Sequence, residues 1–207
     1  MEHTPTEEPR RGGAADCVFC ARRDQPPPLV ETSDLLCMPD RYPLVPGHTL
    51  ILPKRHLACY AAASATELTQ VEQLADQVAR FLENVYQAEV FAWENGVAGQ
   101  SVFHAHLHLC PVPKPGLDVQ LGTFRDVVEV SGLNEAVAEF ERSGAYRYLE
   151  LRGHKYVLGA HSPAIGEIVN ALIASTSLTQ KNGQWVKTTT PDDVSRLNAS
   201  WVEWKGA

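Results

Sequence analysis

The sequence predicts an α+β fold in which an antiparallel sheet carries one long helix packed on it, with a C-terminal α/β extension. Three observations carry that reading. Ser64-Ala65-Thr66-Glu67 has the form of a helix capping box, and Leu68, Val71, Leu74, Val78, Phe81, Leu82 and Val85 follow it at spacings of three and four. Two segments, Glu89 to Glu94 and Ser101 to Cys110, read as strands joined by the glycine-bearing turn Asn95-Gly96-Val97-Ala98-Gly99. Beyond Pro113, short helical and strand segments alternate.

Taken in order, residues 1–15 are polar, carry Pro5, Pro9, Gly12 and Gly13, and show no apolar period, so a disordered tail is expected. A core spanning 16–113 follows it. Cys17-Val18-Phe19-Cys20 forms a knuckle before the break at Pro26-Pro27-Pro28. Leu29-Val30-Glu31 and Leu35-Leu36-Cys37-Met38 read as two short strands around the Ser33-Asp34 turn, and Thr49-Leu50-Ile51-Leu52 as an apolar strand closed by Pro53. The capped helix and the hairpin complete the core. The extension, 114–207, opens with a proline-rich loop. A short helix near Leu133 to Arg142, strands Tyr146–Leu151 and Lys155–Leu158 about Gly153, and a helix from Pro163 to about Ala174 come next. A polar stretch, Ser175 to Thr190, precedes Pro191 and a last short helix.

Composition narrows the function. With 207 residues and 44% hydrophobic content the chain can bury a sizeable core. Its 18 Lys+Arg against 25 Asp+Glu give a net charge of -7, and no basic block exceeds a dipeptide such as Arg10-Arg11 or Lys54-Arg55, which argues against a nucleic-acid polymer as ligand. A small anion such as a nucleotide remains allowed, because backbone N–H groups and a few local cations suffice to hold phosphate. No apolar run approaches the roughly 18 residues of a membrane span and the N-terminus lacks a signal core, so a cytoplasmic location without membrane contact is expected. Five cysteines are an odd number; they read as thiols or metal ligands.

The chemistry concentrates in His104-Ala105-His106-Leu107-His108. Side chains alternate faces along a strand, so the three histidines share one surface and Ala105, Leu107 and Leu109 pack behind it. Alternate histidines on a strand suit zinc, and they also suit phosphoryl chemistry. The context favours the second: Asn95-Gly96 and Gly99-Gln100-Ser101 lie just before them, where glycines admit a phosphate to the backbone and amide and hydroxyl donors can hold its oxygens.

At His104 through Cys110 the sequence resembles the histidine triad family, whose signature alternates histidine with apolar residues and ends in two apolar positions. Pro46-Gly47-His48-Thr49-Leu50-Ile51-Leu52-Pro53-Lys54-Arg55-His56 is similar to that family's second block, and Asp40-Arg41-Tyr42-Pro43 to its ribose-contacting segment. The resemblance implies a nucleotidyl hydrolase or transferase: His106 attacks the α-phosphorus of a nucleoside polyphosphate or phosphoramidate and forms a nucleotidyl-histidine intermediate, which water, phosphate or another acceptor resolves. An imidazole of pKa ~6.5 suits this role as a nucleophile that also leaves readily. The resemblance further implies that His108, about 7 Å along a strand from His106, contacts the phosphate or leaving group. Gln100 and Ser101 would hold non-bridging oxygens, Asn95 would steady the same group, and Asp40 would accept the ribose hydroxyls. In the zinc-containing branch a Cys-x-x-Cys pair is joined by a histidine of the second block and by the first triad histidine, which here implies a structural zinc on Cys17, Cys20, His56 and His104. The family likeness also implies a homodimer with paired sheets.

Two rival functions remain: a nucleotide-binding protein with little catalytic use of its pocket, and a hydrolase with catalytic zinc on all three triad histidines. Arg152-Gly153-His154-Lys155-Tyr156 reads as an exposed turn with solvated charges, Trp201 and Trp204 as packing anchors, and Cys37, Cys59 and Cys110 as small apolar residues. The role of His48 does not follow from spacing.

Overall fold

The computed structural model describes residues 13–22, 25–112, 118–175, 179–181, 184–186 and 191–206. Most of the tail expected at 1–15 lies outside them, but Ala14–Asp16 form a single 3-10 turn. Pro113, where the core was expected to end, also lies outside them.

The described residues form ten strands and four α-helices in order: β1 (Val30–Glu31), β2 (Leu35–Pro39), β3 (Thr49–Pro53), α1 (Ala65–Tyr86), β4 (Glu89–Glu94), β5 (Leu107–Val112), β6 (Val127–Val130), α2 (Ala136–Ser143), β7 (Tyr146–Leu151), β8 (His154–Gly159), α3 (Ala164–Ser175), β9 (Thr179–Lys181), β10 (Gln184–Val186) and α4 (Pro191–Gly206). Strands β1 to β8 form one antiparallel sheet in the order β1-β2-β3-β5-β4-β7-β8-β6. The antiparallel sheet with its long helix is therefore the observed class. The extension does more than lie on the core: β7 pairs with β4 and continues the same sheet. That leaves β1 and β6 as its edges.

Helix α1 starts where the sequence places it, because Ser64 Oγ accepts from the Glu67 backbone N–H while the Glu67 carboxylate accepts from that of Ser64. Its apolar stripe buries Leu68, Val71, Leu74, Val78, Phe81 and Leu82 against Cys37, Ile51, Val90, Ala92, Leu107, Leu109, Tyr146 and Tyr148. Each large side chain so buried contributes about 1.5–3 kcal/mol. Trp201 of α4 meets Phe81 edge-on at 4.8 Å, so that tryptophan is a packing anchor. On the opposite face, α3 places Ala164, Ile168 and Leu172 against Phe91, Leu149, Leu151 and Leu158. The chain before β1 covers the rest of that face, with Cys17 and Phe19 against Leu36, Met38, Leu50 and Leu52.

Two expectations are corrected. The strand read from Ser101 to Cys110 begins only at Leu107, because the preceding residues leave the ladder; the Ala105 N–H bonds instead to the Leu57 carbonyl at 2.6 Å. Residues 127–130, read as part of a loop, form β6 on the outer edge of β8. At the tip of β4 the chain turns through Gly96, φ +49°, where a Cβ would lie 2.6 Å from the Tyr146 carbonyl oxygen. Only glycine fits there. Among the described residues no helix is long and apolar enough to cross a membrane.

Beneath this turn Glu94 is fully buried, accepting from the Tyr60 N–H at 2.8 Å and from the Tyr146 hydroxyl. Burial pushes its carboxyl up to about 7, against the opposing pull of those hydrogen bonds. The titratable groups facing it are Cys59, Tyr60 and Tyr146, whose pKa values burial also raises. Between pH 4.5 and about 7 the folded state thus binds more protons at this site than the unfolded chain, so stability falls as pH rises through that window. Replacing Glu94→Gln should flatten the profile, the variant gaining about 3 kcal/mol relative to the wild type between pH 5 and 8. Urea midpoints of both proteins at the two pH values measure this; parallel profiles would show that Glu94 does not titrate there.

Candidate functional site

The site lies on the α3-side face of the sheet, where β5, β3 and β4 meet. Ala105, Leu107 and Leu109 belong to the α1 core, so His104, His106 and His108 point to the opposite surface even though the first two precede the paired strand. An extended chain alternates its side chains whether or not a ladder holds it.

A cavity of about 440 Å³, within the range of small-molecule sites, is lined among others by Phe19, Asp40, Tyr42, His48, Trp93, Ser101, His106 and His108. His106 is 5% exposed, and its Nδ1 donates to the His104 carbonyl at 2.6 Å. The proton is thereby fixed on Nδ1, and Nε2 keeps a free lone pair. Burial lowers the pKa of His106 and keeps the ring neutral. Phe19 stands edge-on to that ring at 5.4 Å.

His108 has a second support that spacing did not reveal. The Leu44 N–H donates to His48 Nδ1 at 3.1 Å, so His48 carries its proton on Nε2 and donates it to His108 Nδ1 at 3.0 Å. The proton of His108 therefore sits on Nε2, a buried donor without a partner among the described residues. Burial pushes His108 well below the usual imidazole range. Trp93 stacks on it in parallel, ring centres 4.3 Å apart. Trp93 was legible in principle, since it lies in the strand cross-paired with the triad; only the register puts it opposite His108.

Of the remaining predicted residues, Asp40 and Ser101 line the cavity, and Asp40 also accepts from the Tyr42 N–H at 2.7 Å. Gln100 and Asn95 are not among the lining residues. Gln100 is buried and spends its Nε2 on the Ala58 carbonyl at 3.1 Å, because a buried amide needs an acceptor. Asn95 accepts through Oδ1 from Arg147 of β7.

Cys17, Cys20, His56 and His104 bring one ligand atom each to within 4.8 Å of one another. Cys17 Sγ to His104 Nδ1, Cys20 Sγ to His56 Nδ1 and Cys20 Sγ to His104 Nδ1 are each 3.4 Å. Tetrahedral zinc with its usual bond lengths sets thiolate–imidazole separations of about 3.5 Å. The Nε2 of His104 faces the Pro53 carbonyl at 2.8 Å, which fixes its proton there and leaves Nδ1 free to ligate. The donor set therefore fits a four-coordinate metal. A second cluster joins Asp40, His48 and His108. Among the described residues no cluster joins the three triad histidines.

Residues 28–114 match the HIT domain family. The chain is similar to an uncharacterized HIT-like protein of Mycoplasma genitalium, 34% identical over 42% of this chain and 63% of the relative, so it spans less than two thirds of that protein's length. It is 31% identical to a 16.1 kDa HIT-like protein of Mycoplasma pneumoniae over 49% of this chain and 75% of the relative. Adenylylsulfatase HINT3 of Arabidopsis thaliana is 32% identical over 46% of this chain and 52% of its own length. Among solved structures, a zinc-bound histidine triad family protein of Mycobacterium smegmatis is 30% identical, covering 48% of this chain and 76% of its own, with a TM-score of 0.43. With a relative above 30% identity covered over three quarters of its length, and with the triad ordered as described, this chain belongs to the HIT family.

Proposed function

We propose that this chain is a nucleotidyl hydrolase or transferase that cleaves at the α-phosphate of a nucleoside polyphosphate or phosphoramidate through a nucleotidyl intermediate on His106. One observation carries the reading: the Nδ1 bond of His106 to the His104 carbonyl leaves a neutral, unprotonated Nε2 at the cavity. In the first half-reaction Nε2 forms a bond to phosphorus, the bond to the leaving group breaks, and its electron pair departs with that group. His108 meets the leaving group or a phosphate oxygen with the Nε2 proton that His48 fixes in place. Ser101 contacts non-bridging oxygens and Asp40 the ribose hydroxyls. Gln100 holds the loop against Ala58, and Asn95 acts beside Arg147.

Cys17, Cys20, His56 and His104 would hold a structural zinc. Four protein ligands leave no open position for water, so the metal would fix the knuckle that carries Phe19 to the edge of His106. A catalytic zinc on all three triad histidines is disfavoured, since His104 joins the cysteine cluster while His106 and His108 turn to other partners. We place residues 16–113 as the catalytic core, with 114–207 as an extension that completes its sheet. A homodimer with continuous sheets would have to meet at β1 or β6, because β7 already occupies the edge of β4.

The test is to incubate the protein with diadenosine tetraphosphate or adenosine phosphoramidate, quench in alkali and search by mass spectrometry for an AMP adduct. An adduct on the peptide bearing His106 is expected. Turnover with a trapped adduct elsewhere, or none in rapid-quench samples, would overturn the nucleophile assignment.

A further inference from the structure

Most cations whose ion pairs the structure defines are neutralised where they stand. Arg22 and Lys54 pair with Glu31, Arg55 with Glu67, Arg142 with Glu139, Arg152 with Glu89, and Lys155 with Glu72 and Glu150. The basic turn after β7 is thus spoken for. Arg147, in β7, is different.

Arg147 is half-buried, and among the described residues no carboxylate pairs with it. Its Nη1 donates to Asn95 Oδ1, and its buried Nε has no partner among the described residues. Its Nη2 lies so near the turn that a Cβ at Gly99, φ +76°, would come within 3.1 Å of it. Tyr146 and Tyr148 on either side face the α1 core, so Arg147 and Leu149 face the other surface. Trp93, opposite Leu149 in register, lies on that surface and stacks on His108. A half-buried guanidinium with a donor left over and no counter-charge among the described residues suits an anion.

We infer that Arg147 binds the departing portion of the substrate, and that this portion carries its own negative charge, as a phosphate, polyphosphate or sulfate does. The inference rests on the nucleotidyl-transfer reading and narrows it. When the bond from His106 Nε2 to phosphorus forms and the phosphorus–oxygen bond breaks, the electron pair stays on the leaving oxygen; that portion would extend past Trp93 of the cavity wall toward Arg147, which lies outside the lining and two residues along β7 from Leu149, the register partner of Trp93. An uncharged amine leaving from a phosphoramidate has no use for that cation. The extension thereby supplies selectivity that the matched segment 28–114 does not contain.

The experiment compares the wild type, Arg147→Gln and Arg147→Lys on diadenosine tetraphosphate and on adenosine 5′-phosphoramidate, alongside calorimetric binding of inorganic tripolyphosphate. Arg147→Gln should lower kcat/KM on the tetraphosphate and weaken tripolyphosphate binding, each by about 10- to 100-fold. The loss on the phosphoramidate should be several-fold smaller than that on the tetraphosphate, and Arg147→Lys should recover part of the tetraphosphate and tripolyphosphate losses, because it keeps the charge without the fork. Equal losses on both substrates would overturn the inference, showing that Arg147 acts only by positioning Asn95. Unchanged tripolyphosphate binding would overturn it as well. If the wild type turns over neither substrate, the nucleotidyl reading fails, and the tripolyphosphate arm still decides whether Arg147 holds an anion.

Discussion

His106→Ala should lower kcat by about 10⁴- to 10⁶-fold, the scale of losing a covalent nucleophile. The substitution should leave nucleotide binding within an order of magnitude, since the ring's Nδ1 bond is local to the 104–106 segment and the cavity keeps Asp40, Ser101 and His108. His108→Ala provides the comparison. It removes a donor aimed at the phosphate rather than the attacking atom, so the loss should be about 10²- to 10³-fold, with the adduct on His106 still detectable. Steady-state kinetics with adduct trapping for the two variants checks the order. If His108→Ala matched His106→Ala and abolished the adduct, the two histidines would have to exchange roles; if His106→Ala kept wild-type turnover, the pocket would be a binding site without this chemistry.

The parts of the fold written in local sequence were legible. Helix α1 announces its start through Ser64 and Glu67 and its buried face through a stripe repeating every three or four residues, all within 22 residues. The triad's common face was equally readable, because alternation depends only on an extended backbone. The ladder was not readable: whether residues 101–106 pair depends on Leu57 capturing the Ala105 N–H, a contact between loops that no periodicity encodes. Strand β6 was hidden for the same reason, since Val127–Val130 is short and its partner lies in β8.

The site divides along the same line. Cys17 and Cys20 declare themselves by spacing, and family likeness supplied His56 and His104. His48 belongs to a recognisable block, yet its work is a hydrogen bond to His108 across the pairing of β3 with β5, visible only once register is known. Arg147 had no signal. Among 18 basic residues nothing distinguishes it until the sheet order places β7 beside β4 and the surrounding carboxylates prove to be committed elsewhere.

The double replacement Cys17→Ser, Cys20→Ser should purify without the one zinc per chain expected of the wild type, and should melt some 5–10 °C lower. The melting shift corresponds to a loss of about 2–3 kcal/mol for a domain of this size. The loss should be confined in space, because α1 and its core make no use of the knuckle, whereas Cys17 and Phe19 pack on β2 and β3 beside the triad. Chelation of the wild type should reproduce the shift, and added zinc should reverse it. Catalysis distinguishes a structural from a catalytic metal. If zinc only holds the knuckle, the depleted protein loses the wall that Phe19 builds against His106, and kcat/KM should fall by about tenfold while the His106 adduct still forms. A catalytic zinc predicts instead that adduct and turnover vanish together on depletion. Zinc retained at full stoichiometry by the double variant would contradict the four-ligand site outright, and would direct attention to Asp40, His48 and His108, the other cluster whose ligand atoms converge.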